Sequence, residues 1–273
     1  MKLQKIKPYR WLALYYDKVF GAYRPWAEQA RKTLLADILP KVGSACDLAC
    51  GTGTTAIWLA SQGIRTFGVD LSPGMFRAAR GKVRAAGLPI QIQQADMCSF
   101  RLPEKVDLVL CEYDALNHVP RKSDLARVAR AVGRALKPGG HFFFDVNNRL
   151  GFQSYWKGTW CVEKPGLFLV MNNGNDAAHD RAWSKCEWFI RQGRLWRRRR
   201  EIVREVCWSL AEMRRAFKMA GFDRVRAWDS SPFFKDAPHI KRGCRTHYLA
   251  RKAPVVTGRK KLIPRKRSSK PRK

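Results

Sequence analysis

The stretch Asp47-Leu48-Ala49-Cys50-Gly51-Thr52-Gly53 decides the fold. An apolar run, Ser44-Ala45-Cys46, leads into it, and a helical run over 54–62 follows. Glycine in such a turn reaches positive φ and lets a ligand approach the backbone. The helix start offers free amides and a positive dipole end to an anionic group. Gly51, Gly53 and Ala56 also satisfy the dinucleotide fingerprint G-x-G-x-x-G/A. By itself the loop therefore indicates a nucleotide-type cofactor without choosing one.

Outward from the loop, apolar runs alternate with helical stretches. Residues 44–49, 64–70, 89–96, 106–113 and 141–146 read as strands, and 54–62, 73–86 and 123–136 as helices. Ser72 before Pro73 has the form of an N-cap followed by a first-turn proline. Lys137-Pro138-Gly139-Gly140 is a helix stop ahead of the fifth strand. Ser209 and Glu212 form a capping-box pattern for a last helix that ends at Gly221, and strands follow near 225–228 and 246–250. The pattern predicts an α/β fold, a Rossmann-like seven-stranded mostly parallel sheet with helices on both faces.

Two regions depart from that alternation. Residues 1–43 read as a helical lid, with Pro25 opening a helix that runs to Leu39. Residues 151–208 are rich in Trp, Arg and Gly, and 183–191 and 195–208 flank Gln192-Gly193 as a β-hairpin. In the second arm Trp196, Ile202, Val206 and Trp208 share parity, so one face is partly apolar. The expected organisation is a helical lid at 1–43, a cofactor-binding core at 44–150, an antiparallel β lid over the substrate at 151–208, the rest of the core at 209–250, and a disordered basic tail at 251–273.

Three aspartates discriminate between cofactors. Asp47 sits on the first strand end, within reach of a cofactor amino group. Asp70 closes the second strand and suits both hydroxyls of a ribose. Asp96 closes the third strand, placed to accept a bond from an adenine amino group. A nicotinamide dinucleotide needs the glycines and Asp70 but has no need of Asp47 or Asp96.

With these residues in place, DLACGTG at 47–53, GVDLSPGM at 68–75, QQADM at 93–97, VDLVLCEYDALNHV at 106–119 and LKPGGHFFFDV at 136–146 resemble class I S-adenosylmethionine-dependent methyltransferases in order and spacing. The resemblance spans about residues 10–156 and the C-terminal helix and strands. It implies S-adenosyl-L-methionine as cofactor, Asp47 near its methionine moiety above Gly51 and Gly53, and Asp70 on the ribose. It further implies Met75 packed on the adenine, Asp96 and Met97 as adenine contacts, and Ala49, Leu71 and Glu112 completing the cofactor-binding set. Ala49 stands where the family usually has glycine. No metal is expected.

In an open α/β sheet the acceptor sits outside the carboxyl ends of the strands. The loop after the fourth strand, Glu112-Tyr113-Asp114-Ala115-Leu116-Asn117-His118, is therefore the acceptor region. His118 can be neutral at physiological pH and take a proton from an amine or hydroxyl; Asp114 and Asn117 are the weaker candidates. This loop and Tyr15-Tyr16-Asp17 resemble those of small-molecule N-methyltransferases, including amino-sugar dimethylating enzymes. That resemblance makes Tyr16 and His118 the catalytic candidates flanking the acceptor. Tyr155, Trp156 and Trp160 are candidates to line its pocket.

Composition bounds the rest. With 45% hydrophobic residues the chain can build a full core, and no run approaches a membrane span. The basic-then-apolar start reads as a folded helix rather than a signal peptide. The eight cysteines form no C-x-x-C pair, which argues against zinc and fits reduced thiols in a cytoplasmic protein. The net charge is +32; the tail from Arg251 holds eleven bases and no acid, and subtracting it leaves +21. Such a field attracts polyanions, so the tail is a candidate RNA contact, while Arg197-Arg198-Arg199-Arg200 alternates between two strand faces. The expected function is methyl transfer to nitrogen or oxygen of a small-molecule acceptor. The alternatives are an RNA methyltransferase and a non-catalytic cofactor-binding protein that binds nucleic acid; against the first, the chain has no N-P-P-[YF] run. The sequence sets no oligomeric state.

Overall fold

The computed structural model describes residues 9, 11–233 and 243–254. In chain order the elements are α1 (Leu12–Phe20), α2 (Arg24–Leu34), β1 (Ser44–Leu48), α3 (Thr54–Ser61), β2 (Arg65–Asp70), α4 (Pro73–Ala85), β3 (Gln91–Gln94), β4 (Val106–Cys111), α5 (Lys122–Ala135) and β5 (Leu136–Asn147). Then come α6 (Arg149–Tyr155), β6 (Gly158–Lys164), β7 (Leu167–Asp176), β8 (Arg181–Gln192), β9 (Leu195–Val206), α7 (Leu210–Met219), β10 (Phe222–Asp229) and β11 (Arg245–Lys252).

A seven-stranded sheet runs in the order β10-β11-β5-β4-β1-β2-β3. β1, β2, β3, β4 and β5 pair in parallel, and β11 lies antiparallel between β5 and β10. β1 is buried along its whole length and β4 nearly so, the signature of strands covered on both faces. Phe142 and Phe144 stack on one face of β5, Phe144 lies 4.8 Å from the ring of Tyr248, and Phe217 of α7 closes that layer. Ser72 caps α4 through the amide of Met75, and the Ser209–Glu212 capping box opens α7. The sheet is as predicted, but β5 begins five residues before His141. Leu136 already pairs with Val106, and a bulge between Val106 and Leu108 absorbs the Lys-Pro-Gly-Gly stop.

α2 opens at Arg24 with Pro25 in its first turn, and it ends at Leu34 rather than Leu39. A turn and a 3₁₀ segment, Leu39–Lys41, complete the approach to β1.

The second sheet is antiparallel, β6-β7-β8-β9. Gln192 pairs with Leu195 across a two-residue turn whose Gly193 has φ +62°. The register fixes the buried face of β9. Ala182, Ser184 and Cys186 pair with Glu205, Val203 and Glu201, and it is this odd-numbered set of β9 that is buried. Trp196 pairs with Arg191 and is 52% exposed, whereas Ile202 and Val206 are half-buried. The parity of apolar residues does not mark the inner face, because two glutamates occupy it.

Glu201 explains its own burial. It accepts the amide of Leu12 at 2.9 Å, the amide of Trp11 at 3.3 Å and the indole N–H of Trp188 at 3.0 Å. A carboxylate here meets the free amides at the start of α1. α1 thereby lies across the inner face of the second sheet, with Leu12 and Val19 packed among Leu169, Trp188 and Val203.

Arg251 and Lys252, expected in the tail, belong to β11. Arg251 pairs with Asp223, and the Lys252 ammonium donates to the carbonyls of Gly133 and Leu136 at the end of α5. The rest of the predicted tail, 255–273, lies outside the described residues. Among the described residues no helix is long and apolar enough to cross a membrane.

Two stability outcomes follow. Glu201→Ala strands the Trp188 indole and two amides, and should lower unfolding free energy by about 1–3 kcal/mol in urea denaturation. Ala49 holds φ +58°, a left-handed conformation that costs an L-residue roughly 1–2 kcal/mol. Ala49→Gly should relieve more strain than it adds entropy and raise the midpoint of thermal unfolding, read by scanning calorimetry.

Candidate active site

β1 has β2 on one side and β4 on the other, with Asp47 level with Gly68 and Leu110. The carboxyl ends of these strands open on a cavity of about 660 Å³. Asp47, Ala49, Gly51, Asp70, Leu71, Met75, Met97 and Glu112 all line it. Two expected cofactor residues do not. Gly53, at φ +80°, lies beneath, and a Cβ there would come 3.2 Å from that of Ala79; it serves the packing of the loop on α4. Asp96 accepts the amide of Cys98 at 2.8 Å and caps its own turn.

The loop conformation follows from Asp70. Its carboxylate accepts the amide of Gly51 at 2.8 Å and that of Ser72 at 2.8 Å, joining the glycine turn to the start of α4. Burial nevertheless raises its pKa to about 6. Asp47 is more extreme. One of its oxygens is buried without a hydrogen-bond partner, and burial together with the charge of Glu112 pushes the group to about 8. Glu112 accepts from Arg31 of α2 at 3.1 Å and from the Thr55 hydroxyl at 3.1 Å. Arg31 is itself buried and stacks 4.3 Å from the ring of Trp58.

α1 closes the cavity. Asp17 accepts from the Thr52 hydroxyl at 2.7 Å and pairs with Arg24 and Lys82; Lys82 also donates to the hydroxyls of Thr52 and Thr54 at 3.0 Å. The sequence reading missed Arg31, Asp17 and Lys82. Only Tyr15-Tyr16-Asp17 carried a signal, and it drew attention to the tyrosines.

A second cavity of about 210 Å³ adjoins the first, and Tyr9, Tyr16, Phe20 and Tyr113 line both. Tyr155, Trp156 and Trp160 line its far side. Its polar wall is Asp114, Asp145, Glu205 and Arg245. Arg245 bonds Asp114 at 2.6 Å and also pairs with Asp145, whose carboxylate accepts the amides of Tyr113 and Asp114. These bonds hold Tyr113 and Asp114 at φ +59° and +53°. Glu205 accepts from the Asn147 amide at 3.2 Å. Burial and the adjacent Asp114 push its carboxyl well up.

His118 stands at the junction and lines the larger cavity. The Arg204 carbonyl lies 3.1 Å from Nδ1 and can only accept, so Nδ1 carries the proton. Nε2 then accepts from the Tyr9 hydroxyl at 2.6 Å. Burial holds His118 below its ordinary pKa, against the pull of Asp114. Asn117 leaves the list of acceptor candidates. It is fully buried, donates to the carbonyls of Asn147 and Val206 at 2.9 Å and accepts the Asn147 amide at 3.0 Å, so it ties the loop to β5 and β9. Arg198 and Arg200 pair with Glu187 on the outer face of the second sheet, and all eight cysteines are free thiols.

Known proteins agree with this architecture. Residues 45–140 match the family described as a methyltransferase domain. The chain is 34% identical over 143 residues to YqeM of Bacillus subtilis (strain 168), covering 51% of this chain and 56% of that protein. It is 35% identical over 105 residues to a ubiquinone biosynthesis O-methyltransferase of Stutzerimonas stutzeri (strain A1501), covering 38% of this chain and 44% of that protein. The chain thus spans about half the length of the relatives it matches. Among solved structures, an S-adenosylmethionine-dependent methyltransferase from Clostridium acetobutylicum ATCC 824 superposes with a TM-score of 0.73 at 24% identity, covering 90% of this chain and all of that one. The sugar N-methyltransferase KedS8 from Streptoalloteichus sp ATCC 53650 gives 0.70 at 22% identity, covering 93% and 99%. At such identities the superpositions establish the fold. Residues 45–140 thus carry a methyltransferase domain, and the chain as a whole is similar in fold to S-adenosylmethionine-dependent methyltransferases.

Proposed function

We infer that this protein transfers a methyl group from S-adenosyl-L-methionine to a nitrogen or oxygen of a small-molecule acceptor. The observation that carries this is the pair of adjoining cavities that share Tyr9, Tyr16, Phe20 and Tyr113. The larger has the size of a cofactor site, and the smaller, aromatic-walled one suits a small acceptor better than a nucleic-acid strand. Asp47 tests the fit: a buried carboxylate oxygen with no partner calls for a cation, and the ammonium of the cofactor's methionine part supplies one. Asp70 would accept from the ribose hydroxyls, Gly51 would give the backbone room, and Met75, Met97 and Leu71 would pack the base; Leu71 is 63% exposed at the cavity rim.

When bound, the cofactor brings a methyl carbon already activated by positive sulfur. The protein's part is then alignment and exclusion of water, a contribution that reaches roughly 7–11 kcal/mol in well-oriented systems. α1 excludes water through the Asp17–Lys82–Thr52 bonds. His118 accepts the Tyr9 proton and so fixes Tyr9 between the cavities, an orienting role. Tyr16, which lines both cavities, packs against Phe20 and shapes the passage between them.

Calorimetry on the full chain should show binding of S-adenosylmethionine and S-adenosylhomocysteine and none of NADH; the reverse would sink this reading. Asp70→Ala should weaken both ligands by about tenfold or more through loss of a charged acceptor. The pH course has a definite sign. The Asp70 carboxylate accepts ribose hydroxyls only when ionised, so affinity is full above about 6 and declines as pH falls through that value.

His118→Ala should leave cofactor affinity nearly unchanged and lower turnover of any acceptor by less than about 10²-fold, equally at pH 6 and pH 9. A loss within the ~10²–10⁴-fold range of a positioned base, varying with pH, would instead make His118 the proton acceptor.

A further inference from the structure

We propose that the acceptor is an amine and that Glu205, backed by Asp114, takes up its proton. This rests on the two-cavity reading above and adds a residue that neither the glycine loop nor the histidine loop contains.

The wall chemistry of the smaller cavity carries it. Three carboxyl groups, Asp114, Asp145 and Glu205, line that cavity with a single guanidinium, Arg245. Arg245 is committed to Asp114 and Asp145. Burial holds His118 below its ordinary pKa, so with the Arg204 carbonyl on Nδ1 and the Tyr9 hydroxyl on Nε2 it presents a neutral ring to Glu205. Glu205 Oε1 nonetheless lies 3.9 Å from His118 Nε2, and one ligating atom each of Asp114, His118 and Glu205 falls within 4.8 Å of the others. Glu205 is thus a carboxyl only 3% exposed, with Asn147 as its hydrogen-bond donor; Arg245 acts on it through space but spends its hydrogen bonds on Asp114 and Asp145. Burial and the adjacent Asp114, with which Glu205 shares a side-chain hydrogen bond, push its carboxyl well up; a hydrogen bond between two carboxyl groups needs one proton between them. Tyr16, Trp156 and Trp160 line the same cavity. A cavity walled by a carboxyl pair and aromatic rings suits an organic ammonium, which gains from both. A neutral hydroxyl gains little from either.

The chemistry balances. The ammonium enters beside Glu205 and replaces the shared proton, which leaves to solvent. The bound ammonium then gives one proton to the Glu205 carboxylate, leaving a carboxylic acid and a free amine. The nitrogen lone pair forms the new N–C bond as the S–C bond breaks, and that bond's electron pair stays on sulfur. The products are a methylated ammonium and a neutral thioether, and Glu205 returns its proton to solvent. A carboxyl made basic by burial is matched to this duty, since an ordinary exposed glutamate could not hold an amine's proton.

The test uses calorimetry on the full chain saturated with S-adenosylhomocysteine, at pH 7, in two buffers of different ionisation enthalpy. The probes are matched pairs: cyclohexylamine against cyclohexanol, and benzylamine against benzyl alcohol. Wild type should bind the amines at least about tenfold more tightly than the alcohols and release close to one proton per amine bound. Glu205→Gln should weaken the amines at least about tenfold, abolish the proton release and leave S-adenosylhomocysteine affinity within about twofold. Equal binding of alcohols, no binding of either amine, or unchanged behaviour of the variant would overturn the proposal while the methyltransferase reading stands. Failure of S-adenosylhomocysteine to bind wild type would sink that reading instead. Should Glu205→Gln not fold, Glu205→Asp decides: a shortened carboxylate must weaken the amines, keep the proton release and spare the cofactor, and any other pattern overturns the assignment.

Discussion

Carboxylates crowd the carboxyl edge of the central sheet, and much of the rest of the molecule answers them. Asp47, Asp70, Glu112, Asp114, Asp145 and Glu205 converge there, all but Asp114 buried, in a chain whose net charge is +32. Burying an ionised carboxylate without a partner is expensive, so each must find a cation, a donor or a proton. Arg31 reaches Glu112 from α2, Arg245 reaches Asp114 and Asp145 from β11, and the amides of Gly51 and Ser72 serve Asp70. These bonds fix where α2, β11 and the glycine loop sit. Asp47, Asp70 and Glu205 have no bonded guanidinium or ammonium; Asp70 has its two amides, whereas Asp47 keeps an oxygen without a partner and Glu205 has the Asn147 amide, one in each cavity. Their raised pKa values are the mark of that unmet demand, and a ligand that brings positive charge to either cavity relieves it.

The sheet was legible because its signals are local. A strand buried on both faces reads as a short apolar run, a glycine turn follows it, and an aspartate closes it, all within one window of sequence. Asp47, Asp70 and Glu112 are found by this logic, and so is the hairpin around Gly193. The partners of those groups were not legible. Arg31 and Glu112 are 81 residues apart, and Arg245 and Asp114 are 131 apart, so no spacing rule relates them. In β9 the pattern alone does not mark the inside: with Glu201 and Glu205 on the inner face and four arginines between 197 and 200, the partly apolar parity falls on the other side. Only the pairing of Cys186 with Glu201 and of Ala182 with Glu205 fixes which face is inside. Asp96 caps its own turn through the amide of Cys98, because a strand-end aspartate serves a turn as readily as a ligand.

The two glutamates of β9 also tie the cavities to one another. Glu201 holds the start of α1, and α1 carries Asp17, which bonds the glycine loop, and Tyr16, which lines both cavities. Four residues further along the same face, Glu205 meets Asp114. β9 therefore anchors both α1 and the acceptor wall.

The domain match stops short of the acceptor cavity, although the likeness in fold extends over 90% or more of the chain. The matched domain, residues 45–140, contains the glycine loop and the strand ends that face the larger cavity. Of the smaller cavity's lining it contains only Tyr113 and Asp114. Tyr9, Tyr16 and Phe20 precede it, while Tyr155, Trp156, Trp160, Glu205 and Arg245 follow it. Relatives may share every cofactor contact and yet differ at each residue that selects the acceptor. An O-methyltransferase and a sugar N-methyltransferase can therefore both resemble this chain without either fixing its substrate. What distinguishes the chain is the chemistry that α1, the second sheet and β11 bring to the smaller cavity: aromatic rings on one side, and on the other a carboxyl pair that Arg245 leaves only half neutralised.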